Sequence, residues 1–122
     1  MIKLVLCGNP LSNQSIYKVA CSGKMPRLYM DKKGKERKLD YQWQISKQYH
    51  GVVIKYDVEM DIKLFFGNKR RVDYDNFGKI VTDSLMEQVI IDDSQIKKAH
   101  IIMGYDKENP RIELIIKKHE TK

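Results

Sequence analysis

Between Val52 and Phe66 the chain alternates with a period of two. Val52, Ile54, Tyr56, Val58, Met60, Ile62, Leu64 and Phe66 fall on one side, and Lys55, Asp57, Glu59, Asp61 and Lys63 on the other. Successive side chains of an extended segment point to opposite faces, so the pattern predicts a long strand with one buried face. Gly67-Asn68 ends it. A first strand is expected over residues 2–7, with Cys7 as a small core residue, followed by a loop through Gly8-Asn9-Pro10-Leu11-Ser12-Asn13. Arg27-Leu28-Tyr29-Met30 reads as a short strand and Asp31-Lys32-Lys33-Gly34 as a turn, with Cys21 at the start of a loop.

Tyr41, Ile45 and Tyr49 recur at every fourth position and predict a helix over about 38–49, with Trp43 off its stripe and His50-Gly51 as its stop. Phe77, Ile80, Val81 and Leu85 predict a second helix over about 75–88, with Gly78 inside it. Strands over about 96–104 and 111–117 follow, joined as a hairpin by Asp106-Lys107-Glu108-Asn109-Pro110. The order β-α-β-α-β-β describes an α+β fold with helices packed on one mixed sheet. Its 122 residues, 1–122, suit one domain.

Apolar residues make up 42% and charged residues 32%, enough for one modest core under an ionic surface. No run approaches the roughly 18 apolar residues of a membrane span, and the apolar N-terminal stretch is too brief for a secretory signal. A soluble, cytoplasmic protein with no membrane partner is expected. Cys7 and Cys21 make neither a disulfide framework nor a CxxC metal site, and His50, His100 and His119 are scattered without ligand spacing. The net charge of +7 favours a polyanionic partner by neutralising phosphates and releasing counterions.

The arrangement of charge says more. Lys24, Arg27, Lys32, Lys33, Lys35, Arg37 and Lys38 are opposed only by Asp31 and Glu36, and a second basic knot stands at Lys69-Arg70-Arg71. Then the sign reverses through Asp73, Asp75, Asp83, Glu87, Asp92 and Asp93, with Lys79 the lone base among them. Bases of this kind can hold a nucleic acid, and grouped carboxylates can hold a hard divalent cation. Asp73 and Asp75 occupy alternate positions of an extended stretch and can converge on one cation. Lys79 follows Asp75 by one helical turn, and Asp92-Asp93 can complete the cluster after the helix. Three carboxylates suit Mg²⁺ or Mn²⁺. Each piece also has a plainer reading: Asp73 or Asp75 as a helix N-cap, Asp92-Asp93 as a solvated turn, Lys79 pairing with Asp75 or Asp83 on the helix surface. Their conjunction directly after a basic knot favours the metal site.

These residues resemble the RusA-like Holliday junction resolvases. Arg71-Val72-Asp73-Tyr74-Asp75-Asn76 with Lys79 is similar to the family's R-x-D-x-D-N-x-x-K, and Asp92-Asp93 stands at the expected distance. Gly8-Asn9-Pro10-Leu11-Ser12-Asn13 is similar to its P-x-P-S-N loop, though Leu11 stands where a second proline is common, and Arg27-Leu28-Tyr29 to its short strand before the helix. The resemblance implies a homodimeric, Mg²⁺-dependent endodeoxyribonuclease, with Mn²⁺ a possible substitute, that cuts four-way DNA junctions symmetrically in recombination and repair. It implies Asp73, Asp75 and Asp93 as catalytic, cation-binding carboxylates, Lys79 as the base near the phosphate, and Asp92 as a neighbouring acid of the same set. Lys24, Arg27, Lys32, Lys33, Lys35, Lys69, Arg70 and Arg71 are the candidate DNA-binding bases. The host, phage, prophage or bacterial, is not readable.

Two other classes compete. One is a non-catalytic nucleic-acid-binding protein of the same fold. The other is a small-molecule phosphohydrolase using D-x-D, disfavoured because the basic loop Gly67–Arg71 separates Asp73 from the preceding strand. Tyr29 and Tyr74 can stack on exposed bases or simply pack, and Asn76 can orient an aspartate or cap the helix.

Overall fold

The computed structural model describes residues 1–10, 17–22, 25–67 and 78–120, with the main chain alone for 17–22 and 25–28. Its elements are β1 (Ile2–Cys7), β2 (Tyr17–Ser22), β3 (Met25–Met30), α1 (Lys32–Gln48), β4 (Val58–Phe66), α2 (Gly78–Leu85), a short 3₁₀ turn (Asp93–Gln95), β5 (Ile96–Tyr105) and β6 (Arg111–Lys118). Four strands form one mixed sheet in the order β1-β6-β4-β5. β6 runs antiparallel to β1 and β4, and β5 parallel to β4.

Alternation decides which face is covered. Leu4, Leu114, Ile62 and Ile101 lie in register across the four strands, with Leu6, Ile112, Leu64 and Met103 as the next row. Leu4, Leu6, Met60, Ile62, Leu64, Ile112, Leu114 and Ile116 are buried, together with Tyr41 and Ile45 of α1 and Ile80, Val81 and Leu85 of α2. These residues form one apolar core between the sheet and the two described helices. This is the expected α+β architecture. The intervening positions, such as Lys3, Lys63, His100 and Lys117, face away from the core and are exposed.

Cys7 obeys the same rule and corrects an expectation. It falls on the outward phase of β1 and is exposed, so it is not a core residue. Cys21 lies within β2, not at the start of a loop. β2 itself gave no clear sequence signal, and it pairs antiparallel with β3 as a separate two-stranded ribbon.

α1 begins several residues before the expected start near 38. Asp31 is its N-cap, with Oδ1 accepting from the Gly34 N–H at 2.8 Å, so the stretch read as a turn is the first helical turn. The stripe held: Tyr41 and Ile45 are buried and Tyr49 packs at the core margin, while Trp43 stays 61% exposed. Gln44 and Gln48 reach from α1 to the border of the sheet. Gln48 accepts from the Val5 N–H at 2.8 Å and donates to the Val5 carbonyl at 2.7 Å. Gln44 does the same at Cys7, at 2.7 and 3.3 Å. Two amide side chains thus stand in for a missing strand along β1.

Three further expectations need correction. The long alternating strand is a ladder only from Val58, because Val52 is 85% and Tyr56 48% exposed. Ile54 is buried, but its N–H donates to the Val89 carbonyl at 2.7 Å instead of joining the ladder. β5 and β6 are not a hairpin, since β4 lies between them. Their connection steps over the end of β4, where the Asp106 N–H donates to the Phe66 carbonyl at 2.9 Å. α2 ends at Leu85, short of 88, and Glu87 turns the chain with φ 74°. Phe77 and the expected start near 75 lie outside the described residues. No described helix is long and apolar enough to cross a membrane.

Gln44→Ala/Gln48→Ala should cost about 1–3 kcal/mol in urea denaturation, since four hydrogen bonds revert to water. The bared β1 edge should also promote self-association in sedimentation velocity.

Candidate active site

The acidic corner is built on one glutamine. Beyond Ile90 the chain extends through Asp92, which caps the 3₁₀ turn Asp93–Gln95. Gln95 is buried, and its Oε1 accepts from the main-chain N–H groups of Ile91 and Asp92 at 2.7 and 2.9 Å. Its Nε2 donates to the carbonyls of Ile54 and Tyr56 at 2.8 and 2.9 Å. One amide therefore locks the corner to the segment entering β4. Burying these main-chain groups without partners would cost about 1–3 kcal/mol each. Asp92 and Asp93 stay exposed on this braced turn.

Asp92 has a local partner. The Ser94 hydroxyl donates to its Oδ2 at 2.6 Å, and this bond holds the carboxyl below its ordinary pKa. The ionised form is the favoured one. Its contribution to stability is present above the ordinary carboxylate range and is lost as pH falls through the depressed folded value.

Lys79 lies in the first turn of α2, and its Nζ is 3.8 Å from Asp83 Oδ2. The described structure therefore shows the surface pairing that was the plainer alternative for this lysine. Asp73 and Asp75, expected as cation-binding carboxylates, lie outside the described residues, as do Lys69, Arg70, Arg71 and Lys24. Among the described residues no three His, Cys, Asp or Glu side chains gather into a cation site. Asp92 and Asp93 thus do not form a metal centre with their described neighbours, and the expected set needs Asp73 and Asp75. The donor chemistry of that set, carboxylate oxygens throughout, fits a hard divalent cation.

The segment 68–77 departs from the other end of β4, where a second network operates. Asn9 Oδ1 accepts from the Gly67 N–H at 2.9 Å, and the Asn9 carbonyl accepts from Arg37 Nη1 at 2.5 Å. Arg37 also donates to the Tyr41 hydroxyl at 3.3 Å and lies over its ring. Burial raises the pKa of that hydroxyl, with Arg37 partly opposing. Gly8 holds φ 117°, a conformation that glycine alone adopts cheaply, and donates to the Pro110 carbonyl at 3.0 Å. Lys32, Lys33 and Lys35 are exposed in the first turns of the same helix. Arg27 lies in β3, by its main chain.

Asn9, Arg37 and Gln95 were not singled out from the sequence. Gln95 had a signal: an acidic cap followed three residues later by glutamine is a capping box. The link from Arg37 through Asn9 to Gly67 had none, because it runs through main-chain groups far along the chain.

An exposed carboxylate corner at one end of β4 and a cationic helix start at the other define a small α+β protein with strongly segregated charge. The family model described as Endodeoxyribonuclease RusA matches residues 8–117, and the chain belongs to that family. It is also similar to the crossover junction endodeoxyribonuclease RusA of Aquifex aeolicus (strain VF5), at 34% identity over 67 residues. That match covers 53% of this chain and 52% of the relative, so it spans about half the relative's length.

Ser94→Ala should move the Asp92 titration midpoint upward, toward that of an ordinary aspartate, in a carboxyl-detected NMR titration. An unmoved midpoint would show that the hydroxyl does not hold it.

Proposed function

We propose that this chain is a metal-dependent, structure-selective endodeoxyribonuclease that resolves four-way DNA junctions by paired phosphodiester hydrolysis, in recombination and repair. The observation that carries the reading is the family match over residues 8–117. The printed name of the Aquifex relative supports it, as does the exposed, braced Asp92-Asp93 corner in a chain of net charge +7. The acting unit is one domain over residues 1–122, working inside the cell where DNA is accessible.

In this reading Asp73, Asp75 and Asp93 hold the cation and Asp92 stands beside them. Mg²⁺ is the expected ion, with Mn²⁺ a substitute. When bound, it supplies charge neutralisation at the scissile phosphate and activation of the attacking water. Asp92, accepting from the Ser94 hydroxyl, offers a second carboxylate oxygen donor on the same turn. Lys79 contributes positive charge near the phosphate or orients the water. Lys24, Arg27, Lys32, Lys33, Lys35, Lys69, Arg70 and Arg71 hold the DNA backbone, fixing its position without reading sequence. Two opposed cuts require two sites, which a two-fold homodimer supplies.

A non-catalytic nucleic-acid-binding protein of the same fold is the second reading, favoured by the Lys79–Asp83 pairing. Synthetic four-way junctions separate the two. The nuclease gives symmetric nicks with Mg²⁺ and none in EDTA; binding without cleavage under any metal selects the second reading.

Asp73→Asn should abolish cleavage and leave junction binding intact or tighter, because a repulsive charge is removed. Undiminished cleavage by this variant would refute the assignment. Lys69→Ala should weaken binding and reduce the slope of log K against log salt by about 0.9, the release expected for one phosphate contact.

A further inference from the structure

We propose that the β2–β3 ribbon is a DNA-binding arm, and that Tyr29 on its exposed face stacks on unpaired or unstacked bases at the branch point. The inference rests on the nuclease reading only for the choice of branched DNA as partner.

The ribbon's composition is the first observation. From Tyr17 to Met30 the chain carries Lys18, Lys24 and Arg27 and no aspartate or glutamate. Acids intersperse the bases in most of this sequence, but none does here. A stretch whose charges are all of one sign is complementary to a polyanion.

Register supplies the second. Tyr17 pairs with Met30, Lys18 with Tyr29, Val19 with Leu28 and Ala20 with Arg27. Directly opposed residues of an antiparallel pair share a face, and the faces alternate along each strand. The positions of Tyr17, Val19, Leu28 and Met30 therefore lie on one face, and those of Lys18, Ala20, Arg27 and Tyr29 on the other. Met30 packs against the hydrophobic core, whereas Tyr29 is 47% exposed. Met30 thus faces the core and Tyr29 the solvent, and the register puts Tyr29 opposite a lysine position and two residues from an arginine position.

Placement is the third. The ribbon lies outside the four-stranded sheet, and β3 leads through the Asp31 cap into α1. The exposed Lys32, Lys33 and Lys35 therefore continue its basic surface. Arg37 of the same helix binds Asn9, which in turn binds Gly67, the residue from which the chain departs toward Lys69-Arg70-Arg71. The helix that follows the ribbon and Gly67, the end of the described part of this segment, are thus tied together at one end of the sheet.

An aromatic ring between bases suits single-stranded or branched nucleic acid, because every base has a π-face and the flanking cations meet phosphates. A two-stranded ribbon is also narrow enough to enter the major groove of a flanking duplex arm.

The test measures binding in EDTA, where cleavage plays no part. Fluorescence anisotropy compares a four-way junction with an intact duplex of the same composition across a salt series. Tyr29→Ala should weaken junction binding about tenfold, leave duplex binding unchanged and preserve the salt slope. Tyr29→Phe should bind as wild type. Lys18→Gln/Arg27→Gln should weaken both ligands and lower the salt slope by about 1.8, as two lost phosphate contacts require. A junction affinity unchanged by Tyr29→Ala, a Tyr29→Phe variant as weak as Tyr29→Ala, or an unaltered slope in the charge variant would each overturn the proposal. Thermal melts check folding; should Tyr29→Ala not fold, the other two variants still decide. A wild-type chain that binds junctions through the ribbon yet never cuts them in Mg²⁺ would instead remove the nuclease reading and leave the arm standing.

Discussion

A main-chain N–H or carbonyl at the border of a sheet needs a partner, and here glutamine amides supply it. Gln44 and Gln48 bond both main-chain groups of Cys7 and Val5, and so fasten α1 along β1. Gln95 bonds four main-chain groups and fastens the acidic corner to the approach of β4. A glutamine side chain offers one acceptor and two donors on a flexible stem, so it can copy a peptide group where no strand is available. With α1 held in this way, its first turn and the ribbon before it are placed relative to the sheet. With Gln95 in place, Asp92 and Asp93 remain exposed on a turn that the buried amide and the Asp92 cap hold together.

Much of this fold was legible because the core follows one rule. Alternation announced β4, a brief apolar run β1, spaced isoleucines and leucines β6, and helical stripes α1 and α2, and burial at Leu4, Tyr41, Ile62, Ile80 and Leu114 agrees with that reading. The misreadings share a cause. Val52 and Tyr56 continue the alternation of β4, yet the ladder partners end at Val58, and periodicity carries no information about partners. β5 and β6 are joined by turn residues that fit a hairpin, but nothing local reveals that β4 lies between them. Cys7 misled because an apolar hexapeptide was treated as uniformly buried, whereas its phase exposes every second residue. At the candidate site the charges were legible and their supports were not. Asp92 and Asp93 stand out as letters; Asn9 and Arg37 tie together segments dozens of residues apart through main-chain atoms that no pattern marks.

The charge distribution gives the family assignment its physical sense. Membership in the Endodeoxyribonuclease RusA family and the segregation of bases from acids point the same way. Bases dominate the ribbon, the start of α1 and the stretch after Gly67, while Asp92 and Asp93 sit beyond α2 on a separately braced turn. Such separation leaves broad stretches of one sign, the condition under which a basic protein attracts a polyanion.

The last described strand is an inner one. β6 lies between β1 and β4, so β1 has no ladder partner until Arg111–Lys118 is in place. During synthesis the first strand would wait for Arg111–Lys118 to emerge, fastened to α1 but without a ladder neighbour. The pairing of β1 is therefore a contact of long sequence separation, and the chain between the two strands must be folded back before that contact repays its loop-closure entropy.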